Sequence, residues 1–508
     1  MSLTQMSARE RGWSTVAEPV HGPTDEPLSR WGGWKGPKRP GRGSGPNDRR
    51  FVACSAVLGL AVAAGAVLAA GPWDSGQRKA EQDRAAASER SGGAHHQGTG
   101  ATAPRPAASA PAVLAALGTA EGLKEPAGEG GLKTVLAPLL DDPALGALRT
   151  AAVVDTATGK QLYARGAATP MTPASTVKLA TVAAALSALG PGHRIATTVR
   201  MSKDARTVTL VGGGDPTLDE AALRDLAAGT ARAVRASGTK AVTLTYDTSR
   251  YSGPALHPIS PNENIAPVSA LMVDEGRLDD SDKGPAPRTG DPARDAARTF
   301  AGLLGDAGVD TRSAPSSGRA AAGTTVATHL SAPLSALVER ALTNSDNDIA
   351  EALARQTALK AGMPASFAGG RRAVTERLKK LGLPVAGARL ADGSGLDRAD
   401  KVTAGLLTGL LALAAGPGHP ELRPILTGLP VAGFSGTLGG RYTTTSRGTG
   451  LIRAKTGTLT GVNALAGTAV DAQGRLLAFA FLASGTTSPH EAEAALDASA
   501  TALTRGTR

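Results

Sequence analysis

Three short patterns follow one another along the chain: Ser175-Thr-Val-Lys178, Ser345-Asp-Asn347 and Lys455-Thr-Gly457. A serine hydroxyl is a poor nucleophile at neutral pH and needs a base within hydrogen-bond reach. A lysine three residues further along a helix shares the serine's face and supplies that base once its ammonium is neutralised, by burial or by a second nearby cation. Lys455 is the candidate second cation, which ties the third pattern to the first. Ser345 is the candidate proton relay and Asn347 the candidate ligand for a substrate amide. Lys455 and Thr456 would offer a cation and a hydroxyl to a carboxylate, and Gly457 would clear a side chain where a substrate backbone passes. The backbone N–H groups of Ser175 and Thr458 would stabilise an oxyanion. The chemistry these groups share is acyl transfer through a serine ester.

Each pattern alone is weak, because Ser237-Gly-Thr-Lys240 repeats the first and Ser260-Pro-Asn262 imitates the second. Context separates them. Ser175 follows Thr172-Pro173-Ala174 and opens a run of helix formers, Val177 to Leu186, ended by Gly190-Pro191, which predicts a helix with Ser175 in its first turn. Ser237 precedes Ala241 to Tyr246, a β-branched alternating run that predicts a strand, where residues three apart face opposite sides. Leu451 to Leu459 reads as a strand beside a cleft, able to hold an extended peptide along its edge. Gly433-Phe-Ser435-Gly is not a nucleophile elbow, since its second glycine falls one place early.

The ordered set resembles the penicillin-recognising serine enzymes, and in detail the D-alanyl-D-alanine carboxypeptidase/endopeptidase branch, the low molecular mass class C penicillin-binding proteins. Gly212-Gly-Gly-Asp-Pro216, Ala266-Pro-Val-Ser-Ala270, Asp392-Gly-Ser-Gly-Leu396 and Gly436-Thr-Leu438 carry the narrower match, over roughly residues 130 to 505. The resemblance implies peptidoglycan stem peptides as substrate and β-lactams as inhibitors acylating Ser175. Asp397 and Ala399 depart from the Ser and Asn usual after that Asp-Gly-Ser-Gly turn. The 170 residues from Ser175 to Ser345 are also few for a branch that nests two extra domains there, so one inserted domain is expected. A serine β-lactamase shares the three motifs, but no Glu-x-x-Leu-Asn pattern follows Asn347 to supply a deacylating base. A non-catalytic penicillin sensor would keep the same pocket.

The eight histidines show no metal-ligand spacing and the single cysteine, Cys54, has no partner, so neither a metal nor another cofactor is expected. A net charge of +11 with only 3% aromatic residues and no arginine-rich helix argues against nucleic acid. An anionic wall or membrane surface accounts for the excess better.

Residues 51–71 are uncharged and apolar or small, long enough to span a bilayer, and Lys35, Lys38, Arg39, Arg42, Arg49 and Arg50 precede them. That pattern predicts a single-pass cell-membrane protein with a cytoplasmic N-terminus and everything after Gly71 outside. The long leading segment favours an uncleaved signal anchor, with cleavage near Ala69-Ala70 as the alternative. Residues 1–50 are expected to be a disordered basic tail. Residues 72–112, rich in Ala, Ser, Gly and Pro, are expected to form a flexible stalk reaching on the order of 35 Å.

The predicted fold class is α+β, an antiparallel β-sheet flanked by helices in the β-lactamase/transpeptidase manner, with an inserted α/β domain. Ala151 to Asp155 with Gln161 to Tyr163, and Val462 to Val470 with Leu476 to Ala483, read as hairpins from opposite ends of the globular part. Residues 113–195 and 331–508 would build the peptidase domain. Residues 196–330, with strands at Thr207 to Val211 and Ala241 to Tyr246 and helices at Glu220 to Ala236 and Ala293 to Ala307, would form the insert.

Overall fold

The computed structural model describes residues 129–259, 262–442 and 445–505. The tail, the apolar segment 51–71, the stalk and Ser260 lie outside the described residues; among those described, no helix is long and apolar enough to cross a membrane.

Helix α1 (Glu129–Leu140) precedes a hairpin of β1 (Leu148–Asp155) and β2 (Gln161–Arg165), and a 3₁₀ turn at Ala174–Val177 leads into α2 (Lys178–Leu189). Next come β3 (Ala196–Ser202), β4 (Thr207–Val211), α3 (Glu220–Ala236), β5 (Ala241–Asp247), α4 (Pro292–Asp306), the short β6 (Asp310–Thr311) and β7 (Ser316–Ser317), and β8 (Gly323–Leu330). Helices α5 (Leu334–Thr343), α6 (Asn347–Lys360), α7 (Phe367–Lys380), α8 (Ala404–Ala415) and α9 (Arg423–Gly428) follow. The chain closes with β9 (Ile452–Leu459), β10 (Val462–Val470), β11 (Leu476–Ser484) and α10 (Pro489–Leu503).

The first sheet is antiparallel throughout, in the order β2-β1-β11-β10-β9. Its central pair joins opposite ends of the globular part, Leu148 lying opposite Ser484 and Asp155 opposite Leu477. The β10–β11 turn forms because the Asp471 carboxylate accepts the N–H groups of Gln473 and Arg475, both at 2.9 Å, while Gly474 takes a positive φ.

Side-chain alternation sorts this sheet into two faces. Ala152, Ala464, Ala466, Ala478 and Ala480 face the helical layer of α2, α5, α6 and α8, while Val153, Leu465, Phe479 and Phe481 face α1 and α10. Small residues on the first face let helices come close; large ones on the second fill the wider gap. Lys178 to Leu186 of α2 are all buried, as expected of a helix apolar on every side that runs through a core.

The second sheet is mixed, in the order β6-β5-β4-β3-β8 with β7 on β5, and has its own core. Leu223, Leu226, Ala227 and Val234 of α3, with Phe300 and Leu304 of α4, cover Val208, Leu210, Val242 and Leu244. Asp219 caps α3 by accepting the Ala222 N–H at 2.7 Å, and Asp291 caps α4 by accepting that of Arg294 at 3.1 Å. Ser237 of the decoy pattern closes α3, its hydroxyl donating to the Val234 carbonyl at 2.7 Å.

Candidate active site

Ser175 lies on the 3₁₀ turn just before α2 rather than in the helix's first turn as expected, and Lys178 is the first α-helical residue. The three-residue spacing still sets the Lys178 Nζ 3.0 Å from the Ser175 Oγ.

Lys178 is fully buried. Its Nζ has two further partners, the Asn347 Oδ1 and the Ser394 carbonyl oxygen, each at 2.6 Å. A neutral lysine amine carries two N–H groups and one lone pair. With two carbonyl-type acceptors taking the N–H groups, the lone pair is left to the serine hydroxyl, the arrangement a general base requires. Burial draws the lysine pKa down to about 8, against the opposing pull of Asp392, Asp346, Glu351 and Asp400. Burial is one of the two causes the sequence reading names for neutralising the lysine.

The two lysines also repel each other, which disfavours charge on both at once. Lys455 is also fully buried, its Nζ donating to the Thr456 carbonyl at 3.0 Å, and its pKa lies well below the ordinary lysine range through burial, then Lys178, then Arg441. It sits on β9, which pairs with β10 on one side only. On the other side Ala454 donates its N–H to the Pro430 carbonyl. By the two-residue period of a strand, the N–H groups of Thr456 and Thr458 point to that same outer side. This orients the Thr458 N–H for an oxyanion and leaves the strand edge beyond Ala454 for an extended substrate.

Gly457 has a different purpose from the one expected. A Cβ there would lie 2.6 Å from the Pro173 carbonyl oxygen and 3.2 Å from the Ala174 Cβ, so the glycine admits the nucleophile's own turn against β9 rather than a substrate backbone. The Thr456 hydroxyl donates to Thr437 at 2.9 Å and that of Thr458 to Glu493 at 3.0 Å. Arg441 holds the same corner through Asp497 at 2.7 Å.

Ser345 stands between α5 and α6 with φ of 60°, a left-handed conformation uncommon for a residue with a side chain. Its hydroxyl has no partner among the described residues. Asn347, which begins α6, is committed at both ends, Oδ1 to Lys178 and Nδ2 to the Asn264 carbonyl at 2.9 Å. One amide hydrogen remains for a substrate. Ser175, Asn264, Ser345, Asn347, Leu396 and Thr458 line a cleft of about 210 Å³. A larger depression of about 690 Å³ between α1 and α10 holds none of the three motifs, so size alone does not find the site.

The D-Ala-D-Ala carboxypeptidase 3 (S13) family matches residues 132–288 and 279–505. The chain belongs to this family. The carboxypeptidase DacB of Mycolicibacterium smegmatis is 40% identical over 373 residues, covering 69% of this chain and 79% of that one. A D-alanyl-D-alanine carboxypeptidase of an Actinomadura species is 31% identical over 439 residues, covering 69% and 80%. The crystal structure of penicillin-binding protein 4 from Haemophilus influenzae shares the fold, with a TM-score of 0.61 at 22% identity over 73% of this chain and 97% of that one.

In this S13 chain the departure at Asp397 leaves the turn intact, because its Oδ1 accepts the Ala399 N–H at 2.8 Å while its own N–H donates to Asp392 at 2.8 Å. Sequence reasoning treated Asp392-Gly-Ser-Gly395 as a turn and missed that its Ser394 carbonyl reaches the base, since a backbone oxygen has no residue type to betray it. Arg441 and Glu493 also went unnoticed; nothing in their spacing connects them to β9.

Two outcomes follow from this geometry. Acylation of Ser175 should rise with pH through a midpoint near 8, because Lys178 accepts the serine proton only as the neutral amine and is protonated below that pH. Second-order rates with a fluorescent penicillin at pH values on both sides of that midpoint test this, and a flat dependence would remove Lys178 as base. Gly457→Ala should lower the same rate roughly 100-fold by displacing the nucleophile's turn on the order of 1 Å, with the melting temperature recorded to separate misplacement from unfolding.

Proposed function

We propose that this chain is a serine-type D-alanyl-D-alanine carboxypeptidase acting on peptidoglycan stem peptides. The observation that carries the reading is the Ser175 hydroxyl 3.0 Å from a buried lysine amine whose two N–H groups are already taken. The substrate lies extended along β9, its terminal carboxylate beside Lys455 and Thr456, where its charge offsets the cost of protonating a buried lysine. Ser175 attacks the carbonyl of the penultimate D-alanine as Lys178 takes its proton. The N–H groups of Ser175 and Thr458 receive the oxyanion, and Asn347 holds a substrate amide with its remaining N–H. The tetrahedral intermediate collapses by breaking the C–N bond. Ser345 passes a proton to the leaving amine, D-alanine departs, and water hydrolyses the Ser175 ester. If the leaving amine belongs to a neighbouring stem, the same steps cut a cross-link.

A β-lactam offers the same chemistry, a strained amide beside a carboxylate, whose leaving amine stays attached after ring opening. It should therefore acylate Ser175 as an inhibitor. We also propose that residues 51–71 anchor the enzyme in the cell membrane and that the basic residues before them keep the N-terminus in the cytoplasm.

D-alanine release from a peptide ending in D-alanyl-D-alanine should disappear in Ser175→Ala, together with covalent labelling by penicillin; a folded mutant that still bound penicillin covalently would sink the nucleophile assignment. In cells, protease added to intact protoplasts should remove the domain after residue 112 from a membrane-bound full-length chain. Recovery of the protein in the soluble cytosolic fraction would overturn the anchor.

A further inference from the structure

The Ser394 carbonyl is effective as the second acceptor for Lys178 only if the turn that carries it cannot move. We propose that Glu351 and His257 are positioning residues for the base, clamping the Asp392–Gly395 turn so that the Ser394 carbonyl takes one amine N–H of Lys178 and leaves the lone pair on the serine.

Glu351 acts from α6, where Asn347, Glu351 and Arg355 recur every four residues and so lie along one face. Asn347 bonds Lys178 directly. One turn on, the Glu351 Oε1 accepts the N–H groups of Gly393 at 2.8 Å and Ser394 at 3.0 Å. Arg355 lies next, its Nη1 3.6 Å from the Glu351 Oε2, with its guanidinium 4.1 Å from the Phe367 ring and 5.5 Å from that of Tyr251. None of the three guanidinium nitrogens makes a hydrogen bond, so the cation is held by ring faces and by the glutamate's charge.

His257 acts from the segment between β5 and α4. Its Nδ1 accepts the Ile259 N–H at 3.3 Å, which places the ring proton on Nε2, and Nε2 donates to the Asp392 Oδ2 at 2.8 Å. The ring edge stands on Phe367 with centroids 5.2 Å apart. Asp392 distributes that anchorage through the turn: Oδ1 accepts the N–H groups of Ser394 at 3.0 Å and Gly395 at 2.6 Å, and Oδ2 accepts the Ser394 hydroxyl at 3.1 Å. Asp400, its pKa pushed up to about 10 by burial and by Asp392, keeps a proton to share with that carboxylate. Gly395 presses the far end of the turn on the nucleophile, since a Cβ there would lie 2.1 Å from the Ala174 carbonyl oxygen. The turn is thus fixed to α6, to the segment after β5 and to the serine's own backbone, all behind the reacting atoms.

Stopped-flow acylation by a fluorescent penicillin, normalised to titrated active sites, separates the limiting acylation rate from the dissociation constant. Glu351→Ala should lower the limiting rate roughly 30-fold with the dissociation constant within about twofold, as expected for a base displaced by a fraction of an ångström. Glu351→Gln keeps an acceptor oxygen for both N–H groups and should recover to within about fivefold of wild type. His257→Phe keeps a ring edge on Phe367 but no donor and should lower the limiting rate roughly tenfold; His257→Gln restores a donor and should recover most of it. If Glu351→Ala does not fold, the His257 pair decides. Wild-type limiting rates in the folded variants that lack the clamp, or a loss confined to the dissociation constant, would overturn the proposal. It rests on Lys178 as base, and Lys178→Ala in parallel tests that reading separately: full acylation there would refute the reading itself.

Discussion

The catalytic half of this molecule depends on keeping a lysine amine out of water with no carboxylate in direct contact. Burying an ammonium costs roughly several kcal/mol, whereas the neutral amine needs only hydrogen-bond acceptors. The fold meets that need with an amide oxygen from the start of α6 and a backbone oxygen from the turn at Asp392, 169 and 216 residues away in sequence. Carboxylates lie nearby, and their field keeps the lysine near the middle of the working pH range instead of far below it. A carboxylate paired directly with Lys178 would have held it as the ammonium and removed the base.

The sheet was legible because its strands obey the two-residue period and end at turn residues. Val462 to Val470 and Glu220 to Ala236 were read with the bounds the structure gives. The eight residues read as site groups lie around one cleft or in the strand flanking it, because they belong to three short motifs of recognisable residue type and spacing. Other features were not legible. The 3₁₀ start before α2 escaped notice because helix propensity does not distinguish the first turn's type. The purpose of Gly457 is set by Pro173, almost three hundred residues earlier, and only packing reveals such a neighbour. That the Ser394 backbone oxygen reaches the base is likewise visible only in the fold, since a carbonyl has no residue type of its own.

The segment between the first two motifs does more than lengthen the chain. Asn264 anchors the Asn347 amide, Ala266 donates its N–H to Asp348 at 3.0 Å, and His257 reaches Asp392. Each contact ends on a group next to the reacting atoms or one removed from them, so the second sheet's module is built into the site.

The pairing of β1 with β11 bears on how the enzyme comes into being. The nucleophile and its base are synthesised early, but the strand that carries Lys455 and the one that closes the sheet on β1 come from the last part of the chain. Contacts this distant in sequence close late and slowly. The module between the motifs has its own core. A chain still on the ribosome therefore carries Ser175 and Lys178 without the Thr458 N–H or the carboxylate site. The site is whole only once the last strands of the chain have been made.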